Sequence, residues 1–467
     1  MSVDRAVVIG GSIAGLCAAR VLSDFFGEVT VVDRDEFPDG AVERAGVPQS
    51  RHVHALLVGG RRELDRLFPG FDRLMLERGA LDIDFLRDFA TLRPDGWWPP
   101  EPSGLQTLFA SRVLLESVVR ELLSVRPNVR FLPRHAVERL IASGDPLRVR
   151  SVRLQPRDPG GVTSLDAELV VDASGRGSHA PDWLVALGLP APAETVVDAF
   201  AGYSTRWYRA PEPWPAEWWW KGIWLDPAGP HDFRAAVLSP VEGWRWVVTA
   251  GGLARHYPPS DPDEFTAALA TLRSPLIAEA VGRATPISPV YCHRQMANRF
   301  RHYERSDAPL RGFVATGDAV CAFNPVYGQG MTSAAFTAGI LAGCIDAVGP
   351  TSPELPRRFF AAQAKFLREP WGMATGADFR YATTAGARPL GVRFLNPYFD
   401  ALFKTCADDP VVRQRFGEVI HMLRPAGALF DPSILVRTAA ATLRRLRLPA
   451  PARTIPALPP APAAAAV

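Results

Sequence analysis

The first 33 residues constrain the fold more than any other stretch of this 467-residue chain. An apolar run, Ala6–Ile9, leads into the sequence GGSIAG at residues 10–15, and apolar residues at helical spacing continue to Phe26. A second apolar run, Val29–Val32, then ends in Asp33. A strand, a glycine-rich turn, a helix and a second strand that ends in an acidic residue form the βαβ unit that binds dinucleotides.

Three residues of this unit have roles that follow from its geometry. Gly10 makes the turn after the first strand, and Gly15 lets the helix pack closely against that strand. Free N–H groups at the helix start face a pyrophosphate, and Asp33, about twenty residues on, is placed to accept a ribose hydroxyl. Ser12 replaces the middle glycine of the usual pattern. The unit predicts dinucleotide binding without distinguishing FAD from NAD.

Composition limits the class of partner. The net charge is +3, with 47% hydrophobic and 22% charged residues, which is typical of a globular protein and predicts no nucleic-acid partner. The five cysteines are scattered without metal-ligand spacing, so we expect no metal site and a reducing, cytoplasmic location. Met1–Asp4 leads directly into the first strand, so we expect no signal peptide. The apolar stretch Met331–Val348 carries three hydroxyl residues and Asp346, which favours a buried helix over a membrane span.

Periodicity predicts an α/β protein with an inserted antiparallel sheet and a helical C-terminal region. Strand and helix patterns alternate in the first part of the chain, and the period changes to two between Val196 and Thr249. The predicted organisation is a Rossmann-like nucleotide-binding domain in two parts (1–190 and 301–350), an antiparallel-sheet substrate domain (191–300), a helical C-terminal region (351–448) and a disordered Pro/Ala-rich tail (449–467).

The predicted inserted sheet is rich in tryptophan. Its tryptophans include seven at positions 214, 218, 219, 220, 224, 244 and 246. We expect most of them to pack the sheet against its own helices. Those on the inward face are candidates for the dry wall of an apolar pocket.

Two further strand-end motifs follow the first. The apolar run Ala167–Val171 ends in the sequence DASGRGS at residues 172–178, and the run before Gly317 ends in Gly317-Asp318. The sequence NPVYGQG, at residues 324–330, then leads into the helix predicted from Met331, so glycines leave the N-terminus of that helix bare. We expect the three motifs to converge on one ligand.

Together, these three ordered motifs resemble the group A flavoprotein monooxygenases, the fold of aromatic hydroxylases and squalene epoxidase. The resemblance spans Val3 to Val348 and implies an FAD-binding domain. It implies that Asp172 lies near the FAD pyrophosphate and that Asp318 holds the ribityl chain. An electron-rich flavin ring is also a fitting partner for the N-terminus of a helix.

A narrower resemblance rests on residues 46–57, 172–178 and 317–334, which are similar to the bacterial polyether epoxidases of the monensin and lasalocid pathways. It implies transfer of one oxygen atom from a flavin C4a-hydroperoxide to an apolar, polyketide-like alkene. Dioxygen is then a co-substrate, and the protein positions the substrate and excludes water.

The residues that these resemblances and the first motif assign to cofactor and chemistry form one set. The predicted cofactor-binding residues are Gly10, Gly11, Ser12, Ile13, Ala14, Gly15, Asp33, Arg34, Arg44, Gly46, Val47, Arg51, Arg112, Val137, Asp172, Gly175, Asp318, Gly328, Gly330 and Met331. The predicted catalytic residues are Arg51, Pro325, Gly328 and Gly330. His52, His54, Tyr327 and Gln329 are polar candidates near the flavin, with no proton donor assigned among them.

Only one dinucleotide fingerprint occurs, so we expect NADPH or NADH to reduce the flavin transiently, or a separate flavin reductase to supply the electrons. An aromatic-ring hydroxylase of the same fold is the main alternative. A flavin-dependent halogenase is less favoured, because Val248 and Thr249 replace the Ile-Pro of its Gly-Trp-x-Trp-x-Ile-Pro motif and no lysine precedes Lys221. A redox-neutral flavoprotein, acting as a scaffold or a cyclase, remains a further alternative.

Overall fold

The computed structural model describes residues 4–228, 232–294, 296–307, 309–446 and 457–461. The strands are β1 (Arg5–Ile9), β2 (Glu28–Val32), β3 (Leu81–Asp84), β4 (Phe89–Arg93), β5 (Gly96–Trp97), β6 (Gln106–Phe109), β7 (Val129–Leu132), β8 (His135–Ser143), β9 (Arg148–Pro156), β10 (Ser164–Asp166), β11 (Leu169–Asp172), β12 (Glu194–Val197), β13 (Gly202–Arg209), β14 (Gly222–Leu225), β15 (Arg234–Val241), β16 (Arg245–Gly252), β17 (Thr285–Pro286), β18 (Tyr291–His293), β19 (Asn298–Arg301), β20 (Phe313–Ala315) and β21 (Cys321–Ala322). The helices are α1 (Ile13–Leu22), α2 (Val58–Leu67), α3 (Phe71–Glu77), α4 (Phe85–Asp88), α5 (Arg112–Ser124), α6 (Ala180–Ala186), α7 (Pro262–Ala270), α8 (Leu276–Gly282), α9 (Gly330–Val348), α10 (Leu355–Asp378), α11 (Val392–Asp408), α12 (Pro410–Ile420) and α13 (Pro432–Leu446).

A five-stranded parallel sheet in the order β20-β11-β1-β2-β7 carries the nucleotide motifs. Its strands are almost wholly apolar and buried, as expected for a parallel sheet covered on both faces. Ile9 is paired with Val32 on one side and with Asp172 on the other, and Asp172 is paired with Ala315. This register places all three motif turns at one edge of the sheet, as convergence on one ligand requires.

The predicted antiparallel sheet is present, but it also contains strands from outside the segment in which the sequence predicted it. Its order is β17-β13-β16-β15-β14-β4-β5, with β18 also paired to β13. Strands β4 and β5 come from inside the predicted first domain part, and β4 runs parallel to β14. The helical turn α4 separates β3 from β4, because Asp84 caps it by accepting from the Arg87 N–H. The strand-like sequence of residues 81–91 is therefore divided between two strands, β3 and β4.

The apolar helix α9 lies in the core of the protein. It packs against α1, α2 and α10, and its buried residues include Ala335, Leu341 and Ile345. By length and composition it is the one helix of the described residues that could cross a membrane, and half of it is buried within the protein. Its packing fits the predicted buried helix.

Most of the tryptophans named as candidates for a pocket wall do not line the cavity described below. Trp214, Trp218, Trp220 and Trp246 pack together, with the Trp218 and Trp220 rings stacked at 4.7 Å, beside helices α7 and α8. Of these seven tryptophans, Trp224 alone lines the cavity. The expectation that most of them pack the sheet is confirmed, and Trp224 is the one candidate for the pocket wall that lies at the cavity.

Part of the tail predicted to be disordered contacts this tryptophan cluster. Leu458 packs against it, and the Pro459 carbonyl accepts from the Trp219 indole N–H at 3.0 Å. The remaining tail residues, 449–456 and 462–467, lie outside the described residues.

Candidate active site

One large cavity joins the edge of the parallel sheet to the antiparallel sheet and the C-terminal helices. Its volume is about 1900 Å³, roughly twice the upper end of the 300–1,000 Å³ usual for small-molecule sites. It is lined at one end by residues 9–14 and at the other by the aromatic side chains of α11 and α12. A dinucleotide and a second molecule therefore have room side by side.

The glycine-rich turn has the close approaches that its sequence predicts. Gly10 has φ +100°, and a side chain on it would meet the Ala173 carbonyl oxygen at 2.6 Å. A Cβ on Gly15 would lie 1.8 Å from the Gly10 carbonyl oxygen. Ser12 leaves the start of α1 uncapped by a side chain, because its hydroxyl donates to Glu116 instead. The first N–H groups of α1 thus remain available at the cavity.

Asp33 organises the turn as well as lining the cavity. Its Oδ2 accepts from the Gly11 N–H at 2.7 Å, and its Oδ1 accepts from the Asp35 N–H at 2.9 Å. The Arg44 guanidinium also lies 3.2 Å from Oδ2. A carboxylate offers about four acceptor positions, so Asp33 retains capacity for a ribose hydroxyl.

A buried charge network links the glycine-rich turn to α5. Arg44 donates to Glu116 from both Nε and Nη2, at 2.9 and 2.6 Å, and Arg112 Nη2 lies 3.0 Å from the other Glu116 oxygen. Burial opposes the charge on Arg44, but Glu116 and Asp33 hold its pKa above the usual value. Burial also lowers the pKa of Arg112, while the two arginines keep the pKa of Glu116 low against its own desolvation.

Arg112 is the clearest indication of a missing ligand. Its Nη2 also donates to Ser12 Oγ at 2.7 Å, but its Nη1 is buried and has no partner among the described residues. A buried guanidinium N–H without an acceptor is costly, and Arg112 lines the cavity beside the glycine-rich turn. An anionic or hydroxyl-rich ligand at this position would complete its hydrogen bonds.

The second motif folds around Asp172, which is fully buried and does not line the cavity. Its carboxylate accepts from the Ser174 N–H and hydroxyl and from the Ser178 hydroxyl. Burial raises the pKa of Asp172, and these hydrogen bonds oppose that rise. Asp172 therefore holds the turn in shape, while Gly175, at φ +85°, lines the cavity.

The third motif places Asp318 at the wall of the cavity, with its side chain exposed to that space. Burial raises the pKa of its carboxyl, and Arg176 and Arg112 act against that rise. The loop that follows ends at Gly328, at φ +65°, and α9 begins at Gly330. A side chain on Gly328 would reach Ala55 at 3.6 Å, so this loop lies against the segment after the histidine pair.

Asp378, at the end of α10, anchors this loop from outside the nucleotide-binding sheet. It is fully buried and accepts from the Tyr327 hydroxyl at 2.8 Å, from Asn298 Nδ2 at 2.6 Å and from Asn324 Nδ2 at 3.2 Å. The Asn324 N–H donates in turn to Asn298 Oδ1 at 2.7 Å. Desolvation raises the pKa of Asp378 to about 6 despite these three donors.

Arg51 does not take the predicted position. It does not line the cavity, and its guanidinium donates to Glu43 at 2.9 Å and lies over the Tyr291 ring. Its peptide carbonyl accepts from the Trp207 indole, which turns this segment toward the antiparallel sheet. The assignment of Arg51 to flavin contact and catalysis is not supported by this geometry.

The two neighbouring histidines are held neutral. His52 is buried, and its Nδ1 lies 2.9 Å from the Thr205 hydroxyl. Burial, with His293, His54 and Arg51 nearby, lowers its pKa to about 3. His54 lines the cavity, and burial lowers its pKa to about 4. Among the described residues, no group of three or more His, Cys, Asp or Glu side chains is arranged to hold a metal.

Most of the other predicted site residues are brought together. The cavity is lined by Gly10, Gly11, Ser12, Ile13, Ala14, Asp33, Arg34, Arg44, Gly46, Val47, Arg112, Val137, Gly175, Asp318, Pro325, Gly328, Gly330 and Met331. Gly15, like Asp172, supports the turn without lining the cavity. These residues fit a dinucleotide: the turn leaves N–H groups for a pyrophosphate, Arg112 offers a free donor and Asp33 accepts hydroxyls.

The far end of the cavity was not predicted from the sequence. Aromatic rings line it from the antiparallel sheet region and from the C-terminal helices: Phe85, Phe89, Phe109, Trp224, Phe399, Phe403, Phe416 and Phe430. We call this end the aromatic compartment. Glu116 and Asp378 were missed as well. Glu116 could have been found from its i, i+4 spacing to Arg112 on α5, which is typical of an ion pair. Asp378 could not, because the donors to its carboxylate are far away in the sequence.

Comparison with known structures agrees with this architecture. The flavin-dependent brominase Bmp2 superposes with a TM-score of 0.66 at 16% identity, over 95% of this chain and 98% of that chain. The p-nitrophenol 4-monooxygenase PnpA from Pseudomonas putida DLL-E4 gives 0.64 at 18% identity, over 91% and 99%. The flavin-dependent halogenase CmlS gives 0.61 at 16% identity, over 96% and 78%. The chain thus has the fold of the FAD-binding flavoprotein monooxygenases, and the predicted fold class is confirmed.

At the level of sequence, the chain is 34% identical over 455 residues to Protein Rv3254 of Mycobacterium tuberculosis (strain ATCC 25618 / H37Rv), covering 94% of each protein. It belongs to the same protein family as Rv3254. No family model matches the sequence.

Proposed function

We propose that this protein is an FAD-dependent monooxygenase that inserts one oxygen atom of dioxygen into an apolar small molecule. The observation that carries the proposal is the single cavity that joins a dinucleotide cradle to an aromatic compartment. A flavin and an apolar substrate must meet in one enclosed volume for such chemistry, since water has to be excluded from the reacting atoms.

The cradle residues have distinct tasks in holding FAD. The start of α1 and the unpaired Nη1 of Arg112 supply donors for the phosphates or the adjoining hydroxyls. Asp33 and Asp318 supply acceptors for ribose and ribityl hydroxyls. The N-terminus of α9, at Gly330, is suited to the electron-rich edge of the flavin ring.

When bound and reduced, FAD supplies the electrons with which dioxygen is activated, so the chain needs no nucleophile of its own. The chain positions the substrate and keeps it dry. The rings of the aromatic compartment exclude water, and the Asp378 hydrogen bonds fix the loop at residues 324–330 between that compartment and the cradle.

For the substrate, we propose a natural-product alkene that becomes an epoxide. A cavity of about 1900 Å³ has room for a long, flexible, polyketide-like chain beside the flavin. Hydroxylation of an aromatic ring is the second candidate, favoured by the ring-lined compartment, in which flat rings stack well. PnpA, which shares the fold, is named as a p-nitrophenol monooxygenase.

Halogenation is less favoured on the geometry. Trp244 is 54% exposed at a turn, Trp246 is buried in the tryptophan cluster, and neither lines the cavity. None of the three lysines in the sequence lines it either. The halogenase-like Gly-Trp-x-Trp sequence therefore serves the packing of the sheet.

The electrons are proposed to come from NADPH or NADH that visits the flavin transiently, or from a separate flavin reductase. Stopped-flow mixing of the FAD-loaded protein with each nicotinamide, with and without substrate, distinguishes these sources. Bleaching of the flavin by either nicotinamide supports direct reduction, whereas bleaching only after addition of a reductase supports a partner.

The decisive test is oxygen incorporation. The purified protein should be yellow or take up FAD, and it should incorporate one atom of ¹⁸O from labelled dioxygen into a bound alkene. A styrene and a phenol, tested in parallel, separate epoxidation from ring hydroxylation. A colourless protein that does not bind FAD even when the cofactor is in excess refutes the proposal. Binding of FAD without substrate-stimulated ¹⁸O incorporation favours a redox-neutral flavoprotein.

A further inference from the structure

His421 stands at the wall of the aromatic compartment with one ring nitrogen unused. It directly follows α12, lines the cavity and is 3% exposed, with its ring edge-on to Phe85 at 4.8 Å between centroids. Its peptide carbonyl also accepts from the Gly59 N–H at 2.9 Å. The backbone around His421 is thus tied to the start of α2.

The tautomer of His421 follows from its other hydrogen bond. The Val58 N–H donates to His421 Nδ1 at 3.3 Å, so Nδ1 must be unprotonated. Burial lowers the pKa of the imidazole to about 4, which keeps the ring neutral at pH 7. A neutral ring with an unprotonated Nδ1 carries its proton on Nε2.

That Nε2–H has no acceptor. Within the part of the chain that the structure describes, Nε2 is buried and makes no hydrogen bond. A buried donor left unpaired is destabilising, so such a donor on a residue that lines the cavity indicates an acceptor that arrives with the ligand. Val58 directly follows Leu57, whose side chain lies 3.8 Å from the position of a Cβ on Gly328, in the predicted flavin loop.

We infer that His421 is a substrate-binding, specificity-determining residue that donates its Nε2 hydrogen to an oxygen acceptor on an otherwise apolar substrate. The inference rests on the proposed function, because it assigns the aromatic compartment to the substrate. It narrows the proposed substrate from any apolar small molecule to an unsaturated or aromatic compound that carries a ketone, ester or ether oxygen close to the atoms that react.

A neutral acceptor suits this compartment better than a carboxylate. Two arginines that line the cavity, Arg93 and Arg380, are ion-paired with Asp226 and Asp400, although Arg93 Nε is also buried without a partner among the described residues. Arg93 also lies over the rings of Trp98, Phe403 and Phe416. The imidazole N–H is therefore a neutral donor among paired charges and aromatic rings, which matches a carbonyl or ether oxygen.

Two probe ligands of the same shape test the inference. They are 2-acetylnaphthalene, which has a carbonyl oxygen, and 2-isopropenylnaphthalene, in which a CH₂ group replaces that oxygen. Isothermal titration calorimetry of the full-length protein, as purified and after addition of FAD, gives both dissociation constants without turnover. The readout therefore survives even if the protein proves not to be an oxygenase.

Three variants separate ligand binding from structure. His421→Asn keeps an acceptor for the Val58 N–H but removes the donor at the Nε2 position, and His421→Gln places an amide N–H near that position. His421→Phe removes both functions and serves as the structural control. We expect the wild type to prefer the ketone about tenfold, H421Q to keep most of that preference, and H421N to lose it.

Equal binding of the two probes to the wild type, no binding of either, or an undiminished ketone preference in H421N overturns the inference. Should H421N not fold, ¹⁵N-histidine NMR of the wild type decides. The Nε2–H resonance of His421 shifts on addition of the ketone and not of the isopropenyl compound if the inference holds, and stays unchanged with both if it does not.

Discussion

Asp378→Asn tests the buried carboxylate that anchors the loop at residues 324–330. Three donors point at the Asp378 oxygens: the Tyr327 hydroxyl, Asn298 Nδ2 and Asn324 Nδ2. An amide has the same shape but only one accepting oxygen. The substitution therefore removes a buried charge and leaves one donor without an acceptor.

The two effects oppose each other, and only one of them depends on pH. Desolvation raises the pKa of Asp378 from 3.8 to about 6, which corresponds to a destabilisation of about 3 kcal/mol at pH 8, at about 1.4 kcal/mol per pKa unit. A carboxyl with a raised folded-state pKa costs nothing while it is protonated. Its cost grows as the pH rises above the unfolded-state pKa and levels off above the folded-state pKa. The unpaired donor costs about 1–3 kcal/mol at every pH.

The prediction is a pH-dependent difference between variant and wild type. With the same pKa values, about 1.6 kcal/mol of the cost is present at pH 5 and about 3 kcal/mol at pH 8. The free energy of unfolding of D378N relative to wild type should therefore rise by about 1.4 kcal/mol between these pH values. Urea unfolding of both proteins at pH 5, 6, 7 and 8 measures it.

A suitable control is Asp39→Asn, since Asp39 is exposed and its carboxylate is solvated in both states. This variant measures, in the same urea assay, what the Asp-to-Asn change does where no burial of the side chain is involved. A D378N difference that stays constant within about 0.5 kcal/mol would show that burial does not perturb Asp378, and a difference that falls with rising pH would reverse the argument.

Three further predictions concern the cradle and the cysteines. Gly15→Ala should prevent folding or strongly destabilise the protein, because the new Cβ would lie 1.8 Å from the Gly10 carbonyl oxygen. The control is Gly343→Ala in α9, where a Cβ meets nothing within 4 Å; it should be neutral or stabilise the protein by about 0.5–1 kcal/mol. Thermal unfolding measures both variants. Arg112→Met should weaken FAD binding at least tenfold by fluorescence titration, since a charged hydrogen bond contributes about 1.5–3 kcal/mol, and an unchanged dissociation constant would contradict the cradle. Of the five cysteines, Cys292 alone is exposed, so a thiol reagent should modify one site in the native protein and five after unfolding; two or more fast-reacting sites would contradict the burial of the rest.

The nucleotide cradle could be predicted because its signals are local. Gly10, Gly15 and Asp33 lie within one βαβ unit, and backbone geometry alone requires glycine at the first two positions. The motifs around Asp172 and Asp318 were also readable, since Asp172 is the last residue of β11 and Asp318 lies three residues after the end of β20. Parallel pairing of these strands then brings the three turns to one edge.

The substrate side of the cavity was decided by packing between distant segments. The aromatic compartment combines Phe85 and Phe89 with rings from α11 and α12, hundreds of residues away. Trp218 and Trp246, by contrast, face the helices on the other side of the sheet, although their composition suggested a pocket wall. A strand's alternation shows that it has two faces, but it does not show which face meets the ligand.

By itself, the sequence determined the βαβ unit, the order of the three turns and the buried character of α9, because these depend on residues close together in the chain. The tertiary structure decided that Arg51 turns toward Glu43, that Asp378 holds the loop and that His421 has a spare donor at the cavity wall. Each of these three features depends on which partner lies within about 3 Å of a polar atom, and for partners far apart in sequence only the folded chain sets that distance.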